Sequence, residues 1–323
     1  YRRQRQMCIR DSVNYNRAYC LLCSATPSVE SYYMAQSGKY RYHALHHRYG
    51  DAVVPTVQLV DMNNEDLYRG KPMISMALAR AVSENIRAGR QSILLLNRRG
   101  YHTYAVCKDC KTVAACPNCS ISMTYHAANN RLMCHYCGHS EPAYVRCKAC
   151  GGELTFSGGG TQKAEDQLRE AFPEARILRV DTDTTANKYA LEKKLNAFAN
   201  GEYDIMIGTQ MVAKGLDFEN VTLVGVLSAD QSLYSDDYRS NERTFDLLTQ
   251  VVGRAGRGRY RGTALIQTHV PENPYLHLAA AQDYESFFET EIRFRRAMLY
   301  PPFADLLQIG FVGEKEDLSL IHI

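Results

Sequence analysis

Five short apolar runs punctuate the chain: Ile93 to Leu96, Ile177 to Val180, Ile205 to Ile207, Val221 to Leu227 and Ala264 to Ile266. Between them, apolar residues recur at the helical period of about 3.6. Leu78, Val82 and Ile86 share one face, and Gly89 follows as the stop; Ala164, Leu168 and Phe172 form a second face, ended by Pro173. Leu191, Leu195 and Phe198 repeat the pattern before Gly201. Short strands alternating with amphipathic helices predict βαβ units and a parallel sheet. The stripes themselves are core packing and carry no function.

Residues 104–157 interrupt this rhythm as an insertion that leaves near Ser157 to Gly160, where the glycines read as a turn or hinge. Thr161 opens a helix just after them. A helix N-terminus can bind phosphate, but a loop return with an N-cap is the simpler reading. Beyond residue 276 the chain is rich in aromatics, and the double proline at Pro301 and Pro302 marks a boundary after a helical stretch.

The insertion holds the strongest chemical signal. Of eleven cysteines, eight fall between 107 and 150 and come strictly in pairs: Cys107 and Cys110, Cys116 and Cys119, Cys134 and Cys137, Cys147 and Cys150. A two-residue gap lets both sulfurs of a pair converge on one tetrahedral ion, and backbone amides can hydrogen-bond the thiolates. Four such knuckles make two four-cysteine sites. A closed shell of four thiolates leaves no open position, so the zinc it holds is structural. A redox pair also uses this spacing, but four in succession fit zinc ribbons far better. Three groupings of the knuckles are possible. The 14-residue gap between Cys119 and Cys134 is hairpin-sized and favours an inner ribbon, with the outer knuckles closing around it as a nested second site. Cys8, Cys20 and Cys23 stand apart from this register and read as buried or incidental thiols.

At 323 residues and 36.5 kDa, two compact units or one with a large insertion are expected. Hydrophobic residues at 45% and charged residues at 23% exclude disorder. No run approaches the roughly 18 apolar residues of a membrane span, and no secretory leader opens the chain, so a cytoplasmic protein is expected. The formal charge is +3, from 38 basic against 35 acidic residues. Eight zinc-bound thiolates would turn it to about −1, so global charge says nothing about nucleic acid. Locally, Arg254, Arg257, Arg259 and Arg261 crowd one short stretch without an intervening acid.

Three motifs then bring a family into view. Ser24-Ala25-Thr26-Pro27 resembles the coupling motif of superfamily 2 helicases, which joins the nucleotide site to the nucleic-acid track. Gly208-Thr209-Gln210-Met211-Val212-Ala213-Lys214-Gly215-Leu216-Asp217-Phe218 looks like the lobe-two segment that touches both strand backbone and ATP ribose. Gln250-Val251-Val252-Gly253-Arg254-Ala255-Gly256-Arg257 looks like the final helicase motif, which supplies an arginine finger. Arginine suits that role because its charge is permanent and its planar fork matches phosphate oxygens. Fingers of this kind are worth roughly 10³ to 10⁵ in rate in nucleotide hydrolases.

Together with the inserted knuckles, these motifs are similar to the primosomal replication restart helicases, the PriA family. Leu96 to Gly100, Gly160 to Lys163, Arg179 to Thr185 and the double proline add to the match, which runs over roughly residues 13–317. The resemblance implies an α/β fold: a RecA-like parallel-sheet helicase lobe, an inserted double zinc-ribbon region, and part of a C-terminal α+β domain. It divides the chain into a non-family leader at 1–12, the end of lobe one and a linker at 13–75, and lobe two at 76–275 with its zinc-binding insertion at 104–157. The start of a C-terminal domain at 276–317 and a non-family tail at 318–323 complete it. The parent so implied is an ATP-dependent 3′ to 5′ DNA helicase that binds stalled forks and single strands and assembles the primosome, with primosome proteins and single-strand binding protein as partners and no membrane.

By the same resemblance, Arg257, Arg254 and Gln250 are catalytic, Gly215 and Asp217 touch the nucleotide, and Thr209, Gln210 and Lys214 touch DNA backbone. Lys214 would act as a phosphate counter-charge. Two structural zinc ions belong to this chain; ATP and Mg²⁺ belong only to the full-length parent. No G-x-x-x-x-G-K-[ST] and no D-E-x-H occurs in these residues, so the phosphate cradle and magnesium acid are missing and the chain alone is expected not to hydrolyse ATP. Cys23 also stands where the family has glycine. An alternative of a different class is a non-enzymatic zinc-ribbon module on an α/β scaffold, contacting nucleic acid or protein. A superfamily 2 helicase of another branch would explain the motifs but not the cysteines.

Overall fold

The computed structural model describes residues 18–45, 54–96, 103–107, 109–110, 112–118, 123–126, 130–134, 138–157, 161–180, 188–209, 218–233, 237–256 and 260–306. The chain divides into two units, 1–43 and 44–323. In the first, helix α1 (Val29–Gln36) is capped by Ser28, whose Oγ accepts from the Ser31 amide at 3.2 Å. Just upstream, the Thr26 amide donates to Ser24 Oγ at 3.1 Å, and Tyr32 packs edge-on to Tyr42.

In chain order the strands of the second unit are β1 (Thr56–Asp61), β2 (Gln91–Leu96), β3 (Thr103–Cys107), β4 (Thr124–His126), β5 (Arg131–Met133), β6 (Ser140–Pro142), β7 (Leu154–Ser157), β8 (Ile177–Val180), β9 (Ile205–Gly208), β10 (Val221–Ser228) and β11 (Thr263–Thr268). Its helices are α2 (Met76–Arg87), α3 (Thr161–Ala171), α4 (Lys188–Ala199), α5 (Ser240–Val252), α6 (Pro274–Ala281) and α7 (Tyr284–Ala297).

Six strands form one parallel sheet in the order β1-β11-β10-β2-β9-β8. Each of the five apolar runs is a strand in it. Every residue of β2 and β9 is buried, as expected for parallel strands covered on both faces. On one face Leu94, Leu96, Ile205 and Ile207 pack with Leu78 and Val82 of α2 and with Leu168 and Phe172 at α3. The sixth strand, β1, went unread because it lies at the edge and only Val60 in it is buried. Its ladder with β11, from Thr56 opposite Thr263 to Asp61 opposite Thr268, joins these residues to the six-stranded sheet. They come from the stretch expected to close lobe one and link the lobes.

Two buried glutamines tie loops to this sheet. Gln91 donates to the carbonyls of Phe198 at 2.7 Å and Tyr203 at 2.8 Å. Gln267 accepts from the Ser75 amide and donates to the carbonyls of Met73 and Leu227. Helices α6 and α7, in the segment expected to begin a further domain, pack against α5, with Phe287 stacked on Phe245 at 4.2 Å.

The insertion builds its own antiparallel sheet in the order β6-β5-β4-β3-β7. Its entry and exit strands pair with each other, Tyr104 opposite Ser157 through Cys107 opposite Leu154.

Candidate functional site

Pairing of β3 with β7 carries Cys107 toward the last knuckle. Tight turns shape both ends: the Cys107 amide donates to the Thr112 carbonyl at 2.9 Å, and the Cys147 amide to the Gly152 carbonyl at 2.7 Å. Gly152 is packed closely, since a Cβ there would displace the exposed Asp109 carboxylate and stand 3.0 Å from the Cys107 sulfur. The result is a cluster of four sulfurs, Cys107, Cys110, Cys147 and Cys150, all within 4.8 Å of one another. Cys107 and Cys150 are 3.4 Å apart, and Cys110 and Cys147 are 3.6 Å apart. Zinc–sulfur bonds of about 2.3 Å around a tetrahedral ion set sulfurs about 3.8 Å apart, so the cluster has the size and the donors for one zinc.

The thiols of this cluster are unequal. Hydrogen bonds from the Thr112 hydroxyl and backbone, and then from Cys150, hold Cys110 down to about 6. At Cys150 the Gly152 amide works to lower the value, but the neighbouring Cys110 and Cys107 outweigh it and push the thiol up to about 12. Four adjacent sulfurs cannot all be anionic unaided; a divalent cation would displace their protons and hold all four as thiolates. The outer knuckles are therefore brought together. Of the inner ones, Cys116 and Cys134 are buried in one apolar cluster with Met123 and Leu132, while Cys119 and Cys137 lie outside the described residues. The hairpin β4–β5 occupies the gap between them. Cys20 and Cys23, expected to be buried or incidental, are both exposed, and they are themselves spaced C-x-x-C. Their segment, outside any helix or strand, exposes Tyr19, Leu21 and Leu22 as well, and no third ligand joins them among the described residues. Cys8 lies outside the described residues.

The ends of two of the helicase-like motifs meet at one end of the large sheet. Helix α5 bears Gln250 in its last turn, half-buried, and ends at Gly253, whose amide still reaches the Thr249 carbonyl at 3.0 Å. Arg254 follows, half-buried, and the chain then doubles back through Gly256 in the left-handed region at φ 72°. Phe218, the last residue of the other motif, is buried, and its carbonyl accepts from the Val221 amide at 3.3 Å. The ends of both motifs thus converge on the start of β10. Thr209 sits elsewhere: it follows β9, at the opposite end of the parallel strands. Gln210, Lys214, Gly215, Asp217 and Arg257 lie outside the described residues.

Residues 116–142 match the PriA DNA helicase Cys-rich region (CRR) domain, and residues 154–259 match the helicase conserved C-terminal domain. Replication restart protein PriA of Bacillus subtilis is 50% identical over 284 residues, which cover 88% of this chain and 35% of that protein. Over this stretch the chain is similar to PriA. PriA of Chlamydia trachomatis is 42% identical over 308 residues, covering 94% of this chain and 41% of that protein. The chain thus spans well under half the length of these PriA proteins. Among solved structures, RecG bound to a three-way DNA junction has a TM-score of 0.47 at 13% identity, covering 84% of this chain and 26% of that one. Among the described residues no helix is long and apolar enough to cross a membrane.

One charged cluster escaped the sequence reading. Arg295 and Glu291 on α7, four residues apart, share the helix face of Phe287, and both are fully buried. A charge pair at that spacing on the apolar side of a helix is the signal that would have found it.

Proposed function

We propose that this chain is the lobe-two, zinc-ribbon and early C-terminal portion of an ATP-dependent 3′ to 5′ DNA helicase that restarts replication at stalled forks. What carries the reading is the identity of 50% to a replication restart protein, over a stretch that includes the 154–259 helicase match. The convergence of the two motifs at the start of β10 supports it.

In this reading the eight cysteines from Cys107 to Cys150 hold two structural zinc ions, the outer four and the inner four. Arg257 acts on the charge that develops on the γ-phosphoryl group, while Arg254 and Gln250 serve nucleotide contact and lobe closure. Gly215 and Asp217 lie against the nucleotide. Thr209, Gln210 and Lys214 hold a DNA strand by its backbone, which carries no sequence information and weakens with salt. Placement of Thr209 at one end of the strands and the arginine turn at the other suits a lobe that grips DNA on one side and nucleotide on another. The complete protein works in the cytoplasm with forked or single-stranded DNA, primosome proteins and single-strand binding protein, and it needs ATP and Mg²⁺. This chain alone, without a phosphate cradle, is inactive as an ATPase.

The test is DNA-stimulated ATPase at saturating ATP. The complete protein should turn over, Arg257→Ala and Arg257→Lys should lose most of that rate, and the 323-residue chain should show none. Near-normal turnover of Arg257→Lys would remove the finger assignment. Zinc bound in the absence of any dependence on Arg254 or Arg257 would leave a non-enzymatic binding module.

A further inference from the structure

Arg295 is 0% exposed, Glu291 is 0% exposed, and Glu242 at the first turn of α5 is 4% exposed. The Arg295 guanidinium donates from Nη2 to Glu242 Oε2 at 2.8 Å, from Nε to Glu291 Oε1 at 2.9 Å and from Nη1 to the Pro301 carbonyl at 3.4 Å. It also lies over the ring of Tyr238, 5.2 Å from its centroid. One side chain therefore joins the start of α5, the body of α7 and the proline turn that follows α7.

Stability is a poor explanation for such a cluster. Taking a cation and two carboxylates out of water costs about as much as their attraction returns, and apolar residues of similar volume often serve as well or better. What the fork does supply is geometry, because a planar guanidinium meets two carboxylates in only one relation of the two helices. Glu242 lies eight residues before Gln250, about 12 Å along α5, and the turn carrying Arg254 follows directly. A helix moves as a rod, so a tilt at Glu242 reappears at Gln250 and Arg254, and it acts chiefly on the lobe closure on which turnover depends. Misplacement by about 1 Å can cost on the order of 10²-fold in rate.

We propose that Arg295 is a positioning residue, which through Glu242 sets the tilt of α5 and so aims Gln250 and Arg254 at the nucleotide. Helices α6 and α7 are then a working part of the ATPase rather than an appended structure. This inference rests on the helicase reading given above.

The experiment uses the complete protein and compares three variants by DNA-stimulated ATPase, ATP KM, DNA affinity and thermal midpoint. The first replaces the charge cluster by apolar residues, Glu242→Leu with Glu291→Leu and Arg295→Met. The second is Arg295→Lys, which keeps the charge and loses the fork. The third, Arg293→Met, removes a pair with Glu289 that is exposed on the same helix and serves as control. The apolar triple should fold with an unchanged or higher midpoint, and its kcat should fall about tenfold or more with KM and DNA affinity within about threefold. Arg295→Lys should show the same split, and the control should match the unaltered protein. Full kcat in a folded triple overturns the inference. If the triple does not fold, Arg295→Lys decides: a kcat loss at constant KM supports positioning, and full activity or a parallel loss of midpoint and rate overturns it. Absence of turnover in the unaltered complete protein would sink the helicase reading and the inference together, whereas full activity of the variants would sink the inference alone.

Discussion

The backbone amide of Gly256 donates to the carbonyl of Val221 at 3.0 Å, which fastens the arginine turn to the first residue of β10. Gly256 makes that bond at φ 72°, and a Cβ on it would stand 2.3 Å from the Gly262 nitrogen. Backbone cannot yield there as a side-chain tip can. Gly256→Ala is expected to cost about 2 to 4 kcal/mol, combining left-handed strain with the clash. Urea unfolding should show a lower midpoint at unchanged slope; a loss below about 0.5 kcal/mol would mean the turn relaxes freely.

Metal removal should act on one part of the molecule. A chelator that strips zinc is expected to unfold the sheet of 103–157, where Leu132 and Leu154 are buried beside the cysteines, while the six-stranded sheet survives. Hydrogen exchange separates the two: amides of Leu132 and Leu154 should lose protection, and those of Leu94 and Val224 should keep it. Uniform loss of protection across both sheets would refute this independence. Cys107→Ser should release one of two zinc equivalents; release of both, or a single equivalent in the unaltered chain, would refute two separate sites.

The start of β9 is held to the start of β8 by a fork. Arg176 Nη2 reaches Asp204 Oδ1 at 2.6 Å, Nε reaches Oδ2 at 3.1 Å, and the Arg176 amide also donates to Oδ2 at 2.8 Å. The Arg176 side chain, then its amide, hold the Asp204 carboxyl below the usual range against some desolvation. A depressed carboxylate adds stability that is fully present above its unfolded value, about 3.9, and is lost as pH falls through the lower folded value. Because the arginine is more than half exposed, the pair is worth only about 0.5 to 1 kcal/mol. Asp204→Asn should therefore be less stable at pH 7 and converge on the parent curve in strong acid. Stability curves that stay parallel down to pH 2 would count against the pair.

What the sequence disclosed follows from the range of each interaction. Central strands β2, β9 and β10 are buried along nearly their whole length, so their composition alone betrays them, whereas the half-exposed edge strand β1 has no such run. The knuckles were legible because their ligands lie two residues apart. Which knuckles share a cluster depends on the β3–β7 register, a pairing between residues some fifty positions apart, and hairpin length was the only local hint of it. Gln91 was beyond reach for the same reason: its partner Phe198 lies 107 residues away, and a lone glutamine gives no sign that it will be buried. Arg295 was half legible, since Glu291 lies four residues before it, but its partner Glu242, 53 residues away, was not.

Because β3 and β7 run side by side, the insertion leaves its host at almost the point where it enters. A segment with adjoining ends imposes no separation on its host. Residues 103–157 therefore have the geometry of a cassette: exchanged for a two-residue hairpin turn, they should leave the six-stranded sheet intact, and grafted into a surface turn of another protein, they should carry their metal chemistry along.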